Sequence, residues 1–516
     1  MEQGEWIDNI HRDLYRLAVS EAKYGFVSFA VPWGRKRTDE YNRKLLKFKG
    51  AIRQFAKDCP VKAYADKLYY FNGKVYEAVT QTVVYQAFDL LMESLGIAEM
   101  AMNKSFCKEV FVSTILAYNQ LHFRNDVVAF RNGVVDFSEG YDNLKLHRFG
   151  PQWHVLDYHP YRYDPQAKAP LFKRFIEEVL PDKCQRDILQ MFLGLGVIQT
   201  SEAFDKTTAR PRGTVELCLI LLGGGSNGKS VLFNIICALF GKTHITSVDY
   251  DTMTADGDEG LRGRATIRSA VFNWSSDSDP RRFGKKNNAI FKQIVSGEEY
   301  TYRLLGRDIE RSKTCPYLIF SFNELPTVSE TTRGFLRRLQ FISFTTTIPR
   351  SKQNPNLASD IIDKDMSGIF NWVLRGAREI KRRRFCFPST EASVKSKILS
   401  ILPTNPVAAW MWAYSLRAEG LNPTELSTNI RSVSLQRSFS LFAADNGVSV
   451  EMSERKFGDV LYSLGFQKVR KAEGVCYVCY GALEEDLFKP IIISSLTSDK
   501  HESIWTDDEN SLIKDD

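Results

Sequence analysis

Eight consecutive residues, Gly223-Gly224-Gly225-Ser226-Asn227-Gly228-Lys229-Ser230, have the types and spacing to do chemistry. They fit G-x-x-x-x-G-K-[ST], a pattern whose glycines let successive backbone N–H groups turn inward and approach a polyphosphate. A helix that starts at the end of such a loop adds the partial positive charge of its N-terminus. In this arrangement Lys229 reaches the β- and γ-phosphates and the Ser230 hydroxyl holds Mg²⁺. The flanks supply the required setting. Leu217–Leu222 is a short aliphatic run that predicts a strand buried on both faces, and Val231–Phe240 is apolar all round at helix length. The expected ligands are ATP and Mg²⁺.

Three further groups follow in order. Arg268–Trp274 predicts a strand running into Ser275-Ser276-Asp277-Ser278-Asp279-Pro280. An acid at the end of a strand beside the loop's own strand is placed to coordinate Mg²⁺ and polarise water, and Asp277 takes that role, with Asp279 as the alternate. The same acids also suit a turn, or the cap of a helix starting near Phe283. Pro316–Phe322 predicts another buried strand ending in Asn323-Glu324-Leu325-Pro326. The Asn323 amide can bond a γ-phosphate or an attacking water without repelling charge, although an Asx-turn before Pro326 would use it too. Arg337 and Arg338 precede a last strand, and a planar guanidinium fork suits a γ-phosphate bound in a neighbouring subunit.

Periodicity supplies the elements that carry these residues. At 516 residues, with 43% hydrophobic and 25% charged content, the chain has the composition of a globular protein of several domains. No stretch is apolar enough to span a membrane, and Met1–Glu5 lacks the basic and apolar start of a secretory signal. A net charge of +7 permits a nucleic-acid partner without requiring one. The nine cysteines are scattered, and the close pair Cys476 and Cys479 has no second pair or His nearby, which argues against zinc and for a reducing, cytoplasmic compartment. Asn9–Tyr24 and the basic Tyr41–Phe55 have helical spacing, and Asn-Gly pairs at 72–73 and 132–133 predict two hairpins. No D-x-D pair flanked by strands is present there, so a two-metal primase centre is not expected. Leu171–Leu180 and Gln185–Leu195 predict helices, Thr200–Gly213 a polar, basic loop, and Lys381–Arg384 a solvated helix end or, less favoured, a phosphate contact. Val433–Asp445 and Ser453–Leu464 predict two helices before a basic hairpin in Gly465–Tyr480, the order of a winged helix.

GGGSNGKS, NWSSD, FNELP and FLRRLQFISF, with Ile290–Glu298 between the second and third, resemble the motifs of superfamily 3 helicases. The similarity is to the phage, plasmid and large-DNA-virus branch typified by the poxvirus-type primase-helicase; LYYFNGKVYE and FRNGVVDF look like its accessory domain. Members often show Glu where Asp277 stands. The resemblance implies an α/β fold: an AAA+-like P-loop ATPase with a parallel sheet, preceded by an α+β accessory domain and followed by a winged-helix-like domain. The expected divisions are 1–165, 166–390, 391–490 and a disordered acidic tail at 491–516. It further implies a ring, usually a hexamer, that hydrolyses ATP between subunits and moves along DNA, with a separate primase or polymerase as a further partner. Arg303, Arg307 and Lys313, in the segment Tyr300–Lys313 around Gly306, would then track phosphates in the pore. The alternative is a P-loop ATPase that loads or remodels proteins without unwinding DNA.

Overall fold

The computed structural model describes residues 3–491 except 21, 25, 31–37, 65, 98–103, 123–125, 143, 202–214, 277–278, 282, 285–287, 313–314, 331, 419–424, 451 and 473. Of the predicted loop before the glycine-rich segment, residues 202–213 lie outside the described residues, while Thr200 and Ser201 end a helix instead; the acidic tail after Ile491, Asp277 and Lys313 also lie outside them. The chain divides into two contact units, Met1–Tyr163 and Asp164–Asp516.

The first unit opens with helices α1 (Gln3–Ser20) and α2 (Asp39–Asp58), then strands β1 (Lys62–Tyr64), β2 (Lys67–Phe71) and β3 (Tyr76–Val79). Helices α3 (Gln81–Ser94) and α4 (Lys104–Tyr118) follow, and then strands β4 (Val127–Phe130), β5 (Gly133–Asp136) and β6 (Leu146–His147). Thr38 and Thr80 cap α2 and α3 through their hydroxyls, satisfying N–H groups a helix start leaves open. The helices share one core that includes Ile10, Leu14, Ile52, Phe55, Phe88, Phe111 and Ile115. The strands form two antiparallel three-stranded sheets. The Asn72-Gly73 turn joins β2 to β3 as expected. The second hairpin departs from expectation, because Phe130 pairs with Gly133 and the turn is Arg131-Asn132. Gly133 is instead a strand residue, where a Cβ would stand 2.2 Å from the His147 carbonyl oxygen.

The second unit begins with α5 (Pro170–Val179) and α6 (Lys183–Ser201). There follow β7 (Cys218–Leu222), α7 (Lys229–Phe240), β8 (Ile245–Thr246), α8 (Tyr250–Thr254), α9 (Gly257–Ile267), β9 (Phe272–Ser275) and α10 (Asn288–Val295). Strands β10 (Tyr300–Arg303) and β11 (Ile309–Ser312) form a hairpin before β12 (Tyr317–Phe322), α11 (Arg333–Leu336), β13 (Leu339–Ser343) and α12 (Leu357–Arg382). Five strands make a parallel sheet in the order β13-β7-β12-β9-β8. All of β12 and β9 is buried, as a sheet covered on both faces requires. Period-two alternation sorts its side chains. Ile220, Phe320 and Phe341 enter one core with Tyr250, Phe283 and Phe291. On the other face Trp274 meets Phe233 of α7, and Phe272 meets Phe240 and Phe192. There α12 packs on α6 and α7. A Cβ on Gly194 would fall 2.3 Å from the Ala377 backbone nitrogen, and one on Gly376 would fall 2.0 Å from the Gln190 carbonyl oxygen. The α6 and α12 backbones thus touch where both lack side chains.

Helices α13 (Glu391–Ile401) and α14 (Pro406–Ala413) lead to β14 (Thr428–Arg431), α15 (Ser432–Asp445), α16 (Glu454–Ser463), β15 (Lys468–Lys471) and β16 (Gly474–Cys479). These three strands form an antiparallel sheet in the order β14-β16-β15. Its core gathers Trp410, Phe439, Phe457 and Tyr477, and the Trp410 indole donates to Ser438 Oγ at 2.9 Å. The same apolar cluster continues into the face of the parallel sheet carrying Phe320 and Phe341. The segment after β12 is tied to this region, since Val328 N donates to Ser400 O (2.9 Å) and Thr404 Oγ1 to Val328 O (2.7 Å).

Candidate functional site

The glycine-rich segment joins β7 to α7, so the backbone leaves the sheet at Leu222 and enters a helix at Lys229. Gly225 and Gly228 have φ of +95° and +84°, values that side-chain-bearing residues rarely adopt. Nothing lies within 4 Å of a Cβ built on Gly224 or Gly225, so that side of the loop is open. At Gly223 and Gly228 added Cβ atoms would strike Asn227 Nδ2 (2.0 Å) and Val179 Cγ1 (2.7 Å), so the other side rests on protein. The loop is pinned at both ends: Gly223 N donates to Phe322 O (3.1 Å), and Ile348 N donates to Ser226 O (2.8 Å).

Lys229 is 9% exposed, and its Nζ donates to Gly223 O at 2.6 Å and Asn227 Oδ1 at 3.2 Å. Asn227, 3% exposed, leaves its Nδ2 without a hydrogen-bond partner, a buried donor beside the same ammonium. Ser230 is exposed in the first turn of α7. Open backbone, buried ammonium, orphan amide donor and helix N-terminus together fit a polyphosphate.

Asn323 follows the last residue of β12 and is exposed at the strand tip. Because Phe322 is bonded to Gly223, this tip lies against the start of the glycine-rich loop. The strand expected to adjoin β7 was the acid-bearing β9, but β12 lies between them and pairs with both. The chain reaches β8 and β9 by α7 and α9, and β12 then returns to fill the place beside β7. At the end of β9, Ser275 is buried and Ser276 exposed. Asp279 accepts a hydrogen bond from Arg281 N (2.9 Å) within its own turn. Among the described residues no group of three His, Cys, Asp or Glu is placed to hold a metal.

Arg337 and Arg338 precede β13, whose first residue Leu339 pairs with Cys218 at the start of β7. They therefore stand at the opposite end of β7 from the glycine-rich loop, about 20 Å from it along the strand direction. The two differ in setting. Arg338 is 11% exposed; it pairs with Glu216 (2.9 Å), donates to Ser296 Oγ (2.7 Å) and Gly334 O, and leaves Nε unpartnered. Burial lowers its basicity. Arg337 also meets Glu216, but its side chain is 53% exposed. No sequence signal marked Glu216; Ser296 lies in the singled-out segment Ile290–Glu298, but nothing in that segment pointed to the arginine pair.

The hairpin β10–β11 packs on α9, where Arg264 donates to Thr301 O at 2.8 Å. Arg303 bonds Arg307 O (3.0 Å) and pairs with Asp258 (3.0 Å), so it braces the hairpin against α9. Arg307 is exposed, between Leu305 (85% exposed) and Ile309 (59% exposed).

Residues 30–181 match the family described as D5 N terminal like, and residues 221–338 match a family of unknown function, DUF5906. The first match agrees with the resemblance to virus-type primase-helicases read from the sequence. No curated protein matches the chain. Among solved structures, "The apo structure of NrS-1 C terminal region" aligns at 10% identity and a TM-score of 0.37, covering 81% of this chain and 95% of that one. The A form apo structure of the same region aligns at 9% identity and a TM-score of 0.36, covering 81% and 96%. At such TM-scores the likeness adds nothing to the reading of the site.

Proposed function

We propose, from the premise that the N-terminal part of this chain belongs to the D5 N terminal like family, that the protein is an ATP-dependent DNA helicase. It would serve replication of a viral or mobile-element genome and act as an AAA+-like ring, a hexamer in its expected form. The observation that carries this reading is the split of the site across the sheet. The glycine-rich loop and Asn323 share one end, tied by the Gly223–Phe322 hydrogen bond, while the arginine pair occupies the other. A side chain at the far end of β7 does not reach its own loop, so its phosphate partner belongs to another subunit.

In this reading the backbone of Gly223–Gly228 cradles the phosphates and Lys229 reaches the β/γ bridge. Ser230 and an acid following β9, Asp277 or Asp279, would hold Mg²⁺, which would supply charge to offset that on the transferring phosphoryl group. Asn323 bonds the γ-phosphate or orients water, and the neighbour's Arg337 or Arg338 stabilises charge as it develops. Arg307 at the hairpin tip follows the DNA backbone with Arg303 as a brace, and Lys313, which comes after β11 in the sequence, is proposed as a further phosphate contact. The α14–α16 helices with the β14–β16 sheet serve as a winged-helix module.

Lys229→Ala should abolish phosphate release and strand displacement on forked DNA; a variant that unwinds normally would overturn the proposal. One observation favours a second reading, an ATPase that remodels proteins. The hairpin tip flanks Arg307 with exposed Leu305 and Ile309, which suit a polypeptide better than a phosphate chain. Hydrolysis indifferent to DNA would select that alternative.

A further inference from the structure

Helix α2 of the first unit carries a cationic stripe that the ATPase reading does not use. Arg43, Lys47, Arg53 and Lys57 are all exposed and fall within about a third of the helix circumference, over about 21 Å of length. Gly50 lies within the same arc, and a Cβ there would meet nothing within 4 Å, so the middle of the stripe is bare backbone. None of the four cations makes an ion pair among the described residues; Arg43 donates Nε to Asp39 O at 3.3 Å. The nearby acids are engaged elsewhere: Glu40 pairs with Lys44 (3.8 Å), and Asp58 with Lys23 (3.0 Å) and the Tyr24 hydroxyl (2.9 Å). Asp39 sits in the first turn of α2, and α4 contributes a single acid, the exposed Glu109.

Aromatic rings flank the stripe. Helix α4 packs along α2 and presents Phe106, with Lys49 Nζ 4.0 Å from its ring centre, and Tyr118, with Lys57 Nζ at 5.0 Å. Tyr118 is 68% exposed and Phe106 38%, large exposures for rings in a unit with an ample apolar core. Unneutralised cations in line, with exposed rings beside them, are the two components of a surface for single-stranded polynucleotide: phosphates take the cations and bases stack on the rings. An acidic protein surface would complement the cations and leave the exposed rings unexplained.

We propose that the α2–α4 face of the first unit binds single-stranded nucleic acid, with phosphates along Arg43, Lys47, Arg53 and Lys57 and bases on Tyr118 and Phe106. The test is fluorescence anisotropy of the full chain with labelled oligo(dT) and, separately, oligo(rU), without nucleotide and across a salt series. The combined variant R43A/K47A/R53A/K57A should bind more weakly, with its salt slope reduced by about 3. Tyr118→Ala should lose about tenfold in affinity with an unchanged salt slope, and Tyr118→Trp should retain binding. Basal ATP hydrolysis should be unaffected in all of them, which separates this surface from the hairpin probed by Arg307→Ala. Preference between the two oligonucleotides distinguishes DNA from RNA as the source. Wild-type affinity and salt slope in the fourfold variant, with an unchanged melting temperature, would overturn the proposal and leave the stripe to a protein partner or to solvent.

Discussion

Arg337 and Arg338 are neighbours in the chain and opposites in setting, and that contrast can be measured. Arg337→Ala removes a half-exposed side chain, so ATP hydrolysis should fall by about a thousandfold or more while the melting temperature stays put. Arg338→Ala leaves the Gly334 carbonyl and Ser296 without their donor and Glu216 with a single arginine, costing about 1–3 kcal/mol. Its melting temperature should drop along with activity, and equal melting of the two variants would contradict the assignment. Residue types were legible in sequence here because phosphate chemistry restricts them: GGGSNGKS announced its loop, and the loop's geometry fits. The division of labour between the arginines was not legible. It depends on Glu216 and Ser296, 122 and 42 positions away from Arg338 in the chain.

Elements add effects that single residues do not. The run Lys381–Arg384 ends α12, where Arg382 and Arg383 fold back onto Glu379 with Nη2 and Nε each at 2.7 Å. Hydrogen bonds from Arg382, then Arg383, pull the Glu379 carboxyl from its ordinary 4.5 to about 2. A depressed carboxylate stabilises the fold above the ordinary value and loses that contribution as pH falls toward 2. Glu379→Gln should therefore flatten the loss of melting temperature between those limits, by less than about 1 kcal/mol because the pair is partly solvated. A variant that melts like the wild type at neutral pH and at the acid limit alike would show the contact to be inert. Helices α1, α2, α5, α6, α7, α15 and α16 could be read from periodicity, as could the buried strands β7, β9 and β12, and α15 and α16 fall within a residue or two of expectation. Strand order could not, because neither β9 nor β12 carries in its own residues which of them lies beside β7. The Arg131-Asn132 turn was likewise hidden, because the close approach of β6 that demands Gly133 comes from another strand.

At the scale of the whole molecule, the proposed division of the site between subunits would make a demand that no one chain meets. Lys229→Ala and Arg337→Ala proteins should each be inactive, yet mixing them should restore part of the ATPase, since an intact loop can then meet an intact arginine. Absence of recovery after subunit exchange would place the complete site within one chain. The sequence pattern made this division conceivable, and the parallel register of β13 on β7 sets the arginine pair and the glycine-rich loop at opposite ends of that strand. One further feature bears on how such a machine would work. Helix α7, which begins at the phosphate loop, packs on α12, and α12 meets α6 backbone to backbone at Gly194 and Gly376. Side chains between helices act as compliant bushings that take up small displacements, and Gly194 and Gly376 contribute none to this crossing. The joint is one without backlash, so a tilt entering at α7 has little play to lose before α6 must move with it.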